Sequence, residues 1–192
     1  MKKLHDFSEV FDGQKVFRKL LEALSNPGRR VSMLEQSEKM YGDNKVFLAL
    51  AMTVLDNEVS FSVCGNKELA ENISLLTLSR EVELEEADFI FVEKEEHLAE
   101  VFEKAKCGTL ADPQKSATIV IKTEDSKDKT WNLYGAGIDG TLQIEVSGTA
   151  DKALELRDSQ EYEYPQGVDM VFVTPDGEVF GIPRLVLKKE EQ

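Results

Sequence analysis

From Gln14 to Ser25 the apolar residues Val16, Phe17, Leu20, Leu21 and Leu24 return every three or four positions. That spacing places them on one face of an α-helix and predicts one here, capped at its start by Asp12 and stopped by Asn26-Pro27-Gly28. Proline stops it because it lacks the amide hydrogen and its ring clashes with the preceding turn. Arg29 to Leu34 reads as a short strand. Val46 to Leu55 is almost wholly apolar and contains alanines, the signature of a helix buried on most sides, ended by Asp56-Asn57. Val59 to Val63 alternates apolar and polar positions, as a strand does. Lys67 to Leu78 carries Leu69, Ala70, Ile73 and Leu76 at helical spacing behind a capping Asn66. Ala87 to Val92 reads as a strand. Glu95 to Lys106 reads as a helix with Leu98, Val101, Phe102 and Ala105 on one face, terminated at Gly108.

The second half is richer in strands. Ala117 to Ile121 is one, and the polar stretch Lys122 to Lys129 reads as a hairpin loop leading back into a strand at Trp131 to Tyr134. Thr141 to Val146 is another. Thr149 to Ser159 is a weaker helix with Thr149 as its cap. Val168 to Val173 and Val179 to Ile182 form a hairpin around Pro175-Asp176-Gly177, where Asp-Gly is a strong turn signal. The charged tail Lys188 to Gln192 reads as frayed. With no internal repeat, linker or low-complexity tract, residues 1–192 are expected to form a single α/β domain. Its mixed sheet would have about seven strands and helices on both faces.

Composition narrows the function. The chain of 192 residues carries a formal net charge of −14, which repels phosphate backbones and anionic membranes, so nucleic acid and membrane are not expected partners. No apolar run is long enough to span a bilayer and no secretory leader is visible, which makes the cytoplasm the simplest compartment. The two cysteines, Cys64 and Cys107, are expected to stay reduced there. With them and only two histidines, His5 and His97, a metal site is not expected. His5 lies in a segment expected to be mobile, and His97 in the solvated first turn of an acidic helix.

Gly135-Ala136-Gly137-Ile138-Asp139-Gly140 fits the spacing of a dinucleotide loop, but the next segment, Thr141 to Val146, alternates like a strand. That motif needs a helix N-terminus to receive the pyrophosphate, so a turn between strands is the better reading. Cys107-Gly108-Thr109 comes after a helix, whose C-terminal partial charge disfavours a thiolate. The runs Glu81 to Glu86 and Glu93 to Glu96 read as solvated faces. Arg18, Arg29, Arg30 and Arg184 could line an anion pocket, because guanidinium groups fork onto phosphate-like oxygens. They could equally pair with Asp12 or Asp169 to pin the core. Asp169 opens an apolar strand and needs a partner. The candidate anion-binding or structural polar cluster is therefore Arg18, Asp169 and Arg184. No catalytic, cofactor or metal residue is assigned.

Several short motifs, in this order and spacing, make the chain from Asp6 to Val186 resemble the PhnH family of carbon–phosphorus lyase complex proteins. They are Phe11-Asp12-Gly13 leading to Ser25-Asn26-Pro27-Gly28, then Leu55-Asp56-Asn57, and Gly108-Thr109 leading through Asp112-Pro113 to Ala117-Thr118-Ile119. Leu133-Tyr134-Gly135-Ala136-Gly137-Ile138, Tyr164-Pro165-Gln166-Gly167-Val168-Asp169-Met170 and Gly181-Ile182-Pro183-Arg184 complete the set. Gly140 falls outside that family pattern.

The resemblance implies a fold related to the pyridoxal-phosphate-dependent transferases without their cofactor site. It implies a homodimer that joins subunits G, I and J in a core complex. That complex forms ribose 1-methylphosphonate 5-triphosphate from ATP and methylphosphonate, and a later step cleaves the carbon–phosphorus bond with an iron–sulfur cluster held by the J subunit. On this reading the chain contributes by assembly rather than direct catalysis, with no cofactor of its own, and should expose a large apolar patch when alone. The alternative is a stand-alone α/β enzyme that binds a small anionic, phosphonate-like metabolite in a deep pocket where Arg18 or Arg184 converges with Asp169.

Overall fold

Apolar runs that are buried on both sides need cover on both faces, and the architecture follows from that. The computed structural model describes residues 5–189. The first half contains α1 (Phe11–Ser25), β1 (Val31–Ser32), α2 (Leu34–Ser37), α3 (Lys45–Val54), β2 (Ser60–Cys64), α4 (Lys67–Thr77), β3 (Arg80–Glu81), β4 (Phe89–Val92) and α5 (Leu98–Lys104). The second half contains β5 (Thr118–Lys122), β6 (Lys129–Gly135), β7 (Leu142–Val146), α6 (Gly148–Asp158), β8 (Asp169–Val173), β9 (Glu178–Ile182) and β10 (Val186–Lys188).

Seven strands make one sheet in the order β1-β9-β8-β5-β4-β2-β3. The strands from β8 to β3 run parallel, while at one edge β9 pairs antiparallel with β8, and β1 pairs antiparallel with β9 and so runs with the main block. Side chains alternate between the two faces. Ile90, Val92, Ile119, Ile121, Met170, Phe172 and Phe180 pack with α5 and α6. Phe61, Phe91, Val120, Val171, Val173 and Val179 pack with α1, α3 and α4. The chain is thus a single α/β domain with a mixed sheet and helices on both faces, as the pattern predicted.

The segment from Lys122 to Lys129 does not close the expected hairpin. β5 pairs with β4 and β8, whereas β6 pairs with β7 and β10 in a separate antiparallel sheet of three strands, ordered β10-β6-β7. The reason lies in burial. Ile119, Val120 and Ile121 are all buried, so β5 must be central in a sheet covered on both faces. In β6, Trp131 and Leu133 are buried but Thr130 and Tyr134 are exposed, which suits a sheet with one face in water. β6 also lacks the continuous apolar run that a central parallel strand needs.

Two caps are corrected. Asp12 lies inside the first turn of α1. The Phe11 amide donates instead to Ser8 Oγ at 3.2 Å, while the Asp12 carboxylate accepts from the Ser8 amide at 2.9 Å and pairs with Lys39. Ser147, not Thr149, caps α6 by accepting from the Ala150 amide at 3.2 Å. Thr149 falls one residue into the helix and donates its hydroxyl to Glu124 at 2.9 Å. The Arg29–Leu34 segment divides between β1 and the start of α2. His5 is not loose: it forms an isolated bridge with Met40 and its Nδ1 lies 3.1 Å from the Phe7 carbonyl. In the tail, Lys188 belongs to β10, and residues 190–192 lie outside the described residues.

Asp88 locks β2 to β4. It accepts from the Ser60 amide at 2.8 Å and the Ser60 hydroxyl at 2.7 Å, and it pairs with Lys106. Burial works to raise its pKa, but the bonds from Lys106 and Ser60 outweigh that and hold it below the ordinary 3.8. A depressed folded-state pKa stabilises the fold at pH values above the unfolded value, and this contribution is lost as pH falls through the folded one. Urea titrations from pH 7 to pH 2 are therefore expected to show wild-type stability dropping below about pH 4. Asp88→Asn is expected to be less stable at pH 7 and to lose less on acidification. Parallel pH curves for the two proteins would show that the Asp88 contacts contribute nothing.

Candidate functional site

In an open α/β sheet, a ligand crevice forms beyond the carboxyl ends of two neighbouring strands whose outgoing connections leave on opposite faces. Here those strands are β2 and β4. The chain leaving β2 enters α4 on one face, and the chain leaving β4 enters α5 on the other. Asn66, directly after β2, caps α4 by accepting from the Leu69 amide at 2.9 Å, and its side-chain amide donates to Glu93, directly after β4. Lys122, at the end of β5, donates to Glu93 at 3.4 Å and to Asn44 at 3.2 Å. A hollow of about 340 Å³ opens over these groups, with Tyr41 and Asn72 also on its wall.

Burial works to raise the Glu93 pKa, but hydrogen bonds from Asn66 and Asn44 and the charge of Lys122 prevail and keep it below the ordinary carboxylate value. Glu93 is therefore an ionised acceptor and a weak base at neutral pH. The nearby thiol is no nucleophile either: burial, reinforced by Glu100, pushes Cys64 up to about 11. His97, expected to be solvated, is half-buried against the backbone of Gly65. Residue 65 has a φ of +75°, and a Cβ there would meet His97 Nε2 at 2.3 Å, so the position favours glycine twice over. Among the described residues no group of three or more His, Cys, Asp or Glu side chains could hold a metal ion.

A second depression, about 1070 Å³, runs between β10, the end of α6 and the loop from Glu161 to Gln166. Arg184 lines it. The backbone amide of Arg184 donates to Asp169 Oδ1 at 2.9 Å, which supplies the partner that Asp169 needs. The Arg184 guanidinium donates to Ser116 Oγ at 2.6 Å and to the Pro113 carbonyl. Asp169 and Arg184 thus come together, through the main chain rather than as an ion pair. Arg18 does not join them: it lies on the exposed side of α1 and makes no ion pair among the described residues. Arg29 pairs with Glu22 at 2.9 Å. Arg30 pairs with Asp125 at 2.7 Å and sits over the Phe180 ring. Gly135 to Gly140 is the turn between β6 and β7, with no helix end to receive a phosphate.

Sequence reasoning passed over Arg157, which is only 2% exposed. It pairs with Asp158 at 2.7 Å and donates to the Val186 carbonyl at 2.7 Å and the Pro183 carbonyl at 3.4 Å. The signal was present, because Arg157 continues the buried stripe Ala150, Ala153, Leu154 at helical spacing. Beside it, burial and then the neighbouring Cys107 push the Tyr162 phenol up to about 12. Glu93, read with Glu95 and Glu96 as part of a solvated run, is instead largely buried and bonded to Asn66 and Lys122, because it directly follows the apolar strand β4. Lys122, the polar residue that ends β5, was passed over.

The family profile described as bacterial phosphonate metabolism protein (PhnH) matches residues 6–187. The chain belongs to the PhnH family. Among its relatives is the alpha-D-ribose 1-methylphosphonate 5-triphosphate synthase subunit PhnH of Rhizobium meliloti (strain 1021). It is 27% identical over 187 residues, covering 95% of this chain and 92% of the relative. A provisionally named C-P lyase subunit protein, HtxG of Stutzerimonas stutzeri, is 25% identical over 172 residues, covering 89% of this chain and 83% of the relative. The PhnH match takes in the strand-end crevice, the Asp169–Arg184 junction and nearly all of the larger groove, so these belong to the family's domain and not to an appendage.

Proposed function

We propose that this chain is a subunit of a carbon–phosphorus lyase core complex. In it the chain supports formation of ribose 1-methylphosphonate 5-triphosphate from ATP and methylphosphonate, by assembly rather than by direct catalysis. The observation that carries this is the PhnH match along residues 6–187, with a relative of nearly the same extent named as a subunit of that synthase. Its partners on this reading are a second copy and subunits G, I and J, in the cytoplasm. Among the described residues no helix is long and apolar enough to cross a membrane.

The surface supports an assembly role. On α1, Phe17 and Leu21 are each 47% exposed and stand one helical turn apart, with Val10 further along the same side at 73%. Such a stripe is costly to leave in water and suits a covered face. Kinship with the pyridoxal-phosphate-dependent transferases is part of the same proposal, supported by the largely parallel sheet with helices on both faces. Lys122, the lysine at the strand-end crevice, is engaged by Glu93 and Asn44 and is not poised for a Schiff base. The enzyme alternative finds less support, because Asp169 meets Arg184 through the main-chain amide rather than through a converging guanidinium, and Arg18 lies elsewhere on the exposed side of α1.

The test is affinity purification of the tagged chain from its native host grown on a phosphonate as sole phosphorus source. Recovery of the other carbon–phosphorus lyase subunits in near-equal amounts is expected. Recovery of the chain alone, from cells that express those subunits, overturns the proposal. The purified chain by itself is expected to release no adenine from ATP and to show no absorbance band of bound pyridoxal phosphate.

A further inference from the structure

We propose that the groove between β10, the end of α6 and the Glu161–Gln166 loop seats an acidic, extended segment of a partner protein. This rests on the subunit reading above and names the chemistry of one contact. The first observation is charge. The chain holds 37 acidic against 23 basic residues, yet this groove gathers cations that have no carboxylate partner among the described residues. Arg184 is bonded to a carbonyl and a hydroxyl. Lys188 lies with its ammonium 4.8 Å from the centroid of the Trp131 ring. Lys189 is exposed, and among the described residues its one bond is from its backbone amide to Asn132. Asp158 on the same wall is already held by Arg157 at 2.7 Å, which leaves Glu161 as the one uncommitted carboxylate of the lining among the described residues. Elsewhere the acidic surface repels an anionic segment, so the potential guides it here.

The second observation is the apolar lining. Tyr134 and Leu187 face each other across the β6–β10 pair and are 42% and 40% exposed, and Tyr164 on the opposite rim is 78% exposed. Tyrosine and arginine are enriched at protein interfaces, where large rigid side chains lose little entropy on binding. At about 1070 Å³ the groove is at the upper limit for a small-molecule site, and a lone small anion would leave these exposed side chains uncovered.

The third observation tells how the segment is held. Lys189 donates its amide to Asn132 and Ala136 donates to Leu185, so the peptide groups of Val186 and Lys188 turn toward the outer edge of β10. At Val186 the carbonyl is taken by Arg157 and the amide by Pro183. The edge therefore cannot accept a full added strand, and side chains carry the recognition.

The experiment uses the full chain co-expressed with the other carbon–phosphorus lyase subunits. Benzoylphenylalanine replaces tyrosine at position 164, and the photo-crosslinked peptide is identified. In parallel, recovery of the complex is compared for wild type and the double variant Tyr164→Ala, Lys189→Glu, both at exposed positions, with melting curves confirming that the variant is folded. The expected result is a crosslink to a segment of net negative charge in another subunit, and a loss of recovery of about tenfold or more. For the wild type, recovery should weaken as salt rises from 0.1 M to 1 M and the screening length falls from about 10 Å to about 3 Å. Undiminished recovery with the folded variant overturns the groove and leaves the subunit role standing. A crosslink to a second copy of this chain, or to a basic segment, also overturns it. Failure of the wild type to recover any subunit overturns both.

Discussion

Replacing Arg157 with alanine is expected to lower the stability of the domain by about 3–5 kcal/mol, the range seen when one member of a buried, hydrogen-bonded charge pair is removed. The side chain is 2% exposed and does three things at once. It pairs with Asp158, and its guanidinium bonds satisfy the carbonyls of Pro183 and Val186. Without it both carbonyls lose a donor and a cavity opens beneath β10. For a domain of this size the loss lowers Tm by about 10 °C. Arg157→Lys is expected to recover little of this, because an ammonium cannot fork to two carbonyls while holding Asp158. Thermal and urea melts of the three proteins are the measurement. A change in Tm below about 2 °C for Arg157→Ala would falsify the view that Arg157 ties β10 to α6. The point bears on function because β10 forms one wall of the proposed docking groove.

Gly135→Ala is expected to cost about 3–4 kcal/mol, from backbone strain and from overpacking together. Gly135 has a φ of +126°, and a Cβ there would lie 2.1 Å from the carbonyl oxygen of Leu185. Backbone cannot yield as the tip of a flexible side chain can. Gly140 is the useful comparison. Its φ is +77° but nothing lies within 4 Å of its Cβ position, so Gly140→Ala is expected to cost only about 1–2 kcal/mol, the price of the left-handed conformation. Chemical denaturation of both variants separates the two terms. It also separates two explanations of the glycine-rich segment. If the glycines cradled a nucleotide, both substitutions would weaken nucleotide binding. If they build a turn against β10, stability orders them by steric contact and no nucleotide is involved. Equal destabilisation by the two substitutions would count against the steric account.

These two substitutions probe the same region from opposite sides. Arg157 supports β10 from α6, and Gly135 lets β6 and the Leu185 backbone approach closely. Both hold in place the small sheet whose outer face presents Tyr134 and Leu187. The strand-end crevice is built differently. Asn44, Asn66, Glu93 and Lys122 satisfy one another there, and Glu93 stays ionised. Such a network holds α3, α4 and the strand ends in register, and the groups best placed for partners lie on α1 and beside β10.

Much of the fold was legible in the sequence. The stripe Val16, Phe17, Leu20, Leu21 and Leu24 specified α1, although Phe17 and Leu21 are half exposed; Asn66 specified the start of α4, and Asp176-Gly177 specified the β8–β9 turn. Periodicity is a local property, read within one element, and it reports which face of that element is buried. It does not report what buries it. The tertiary structure alone decided that β6 leaves the main sheet for β7 and β10, because that choice depends on which strands cover each other's faces. It alone decided that Asp169 meets the Arg184 main chain while Arg18 stays in solvent. The bond from Lys122 to Asn44 spans 78 positions and that from Arg184 to Ser116 spans 68. No local pattern encodes such pairs, since each exists only after the sheet has brought distant strand ends together. By itself the sequence determined most of the elements and, through its motifs, the PhnH family, but not the short strands β3 and β10 or the exposure of Phe17 and Leu21 on α1. Which polar groups converge, and which cations beside β10 have no carboxylate partner among the described residues, followed from packing.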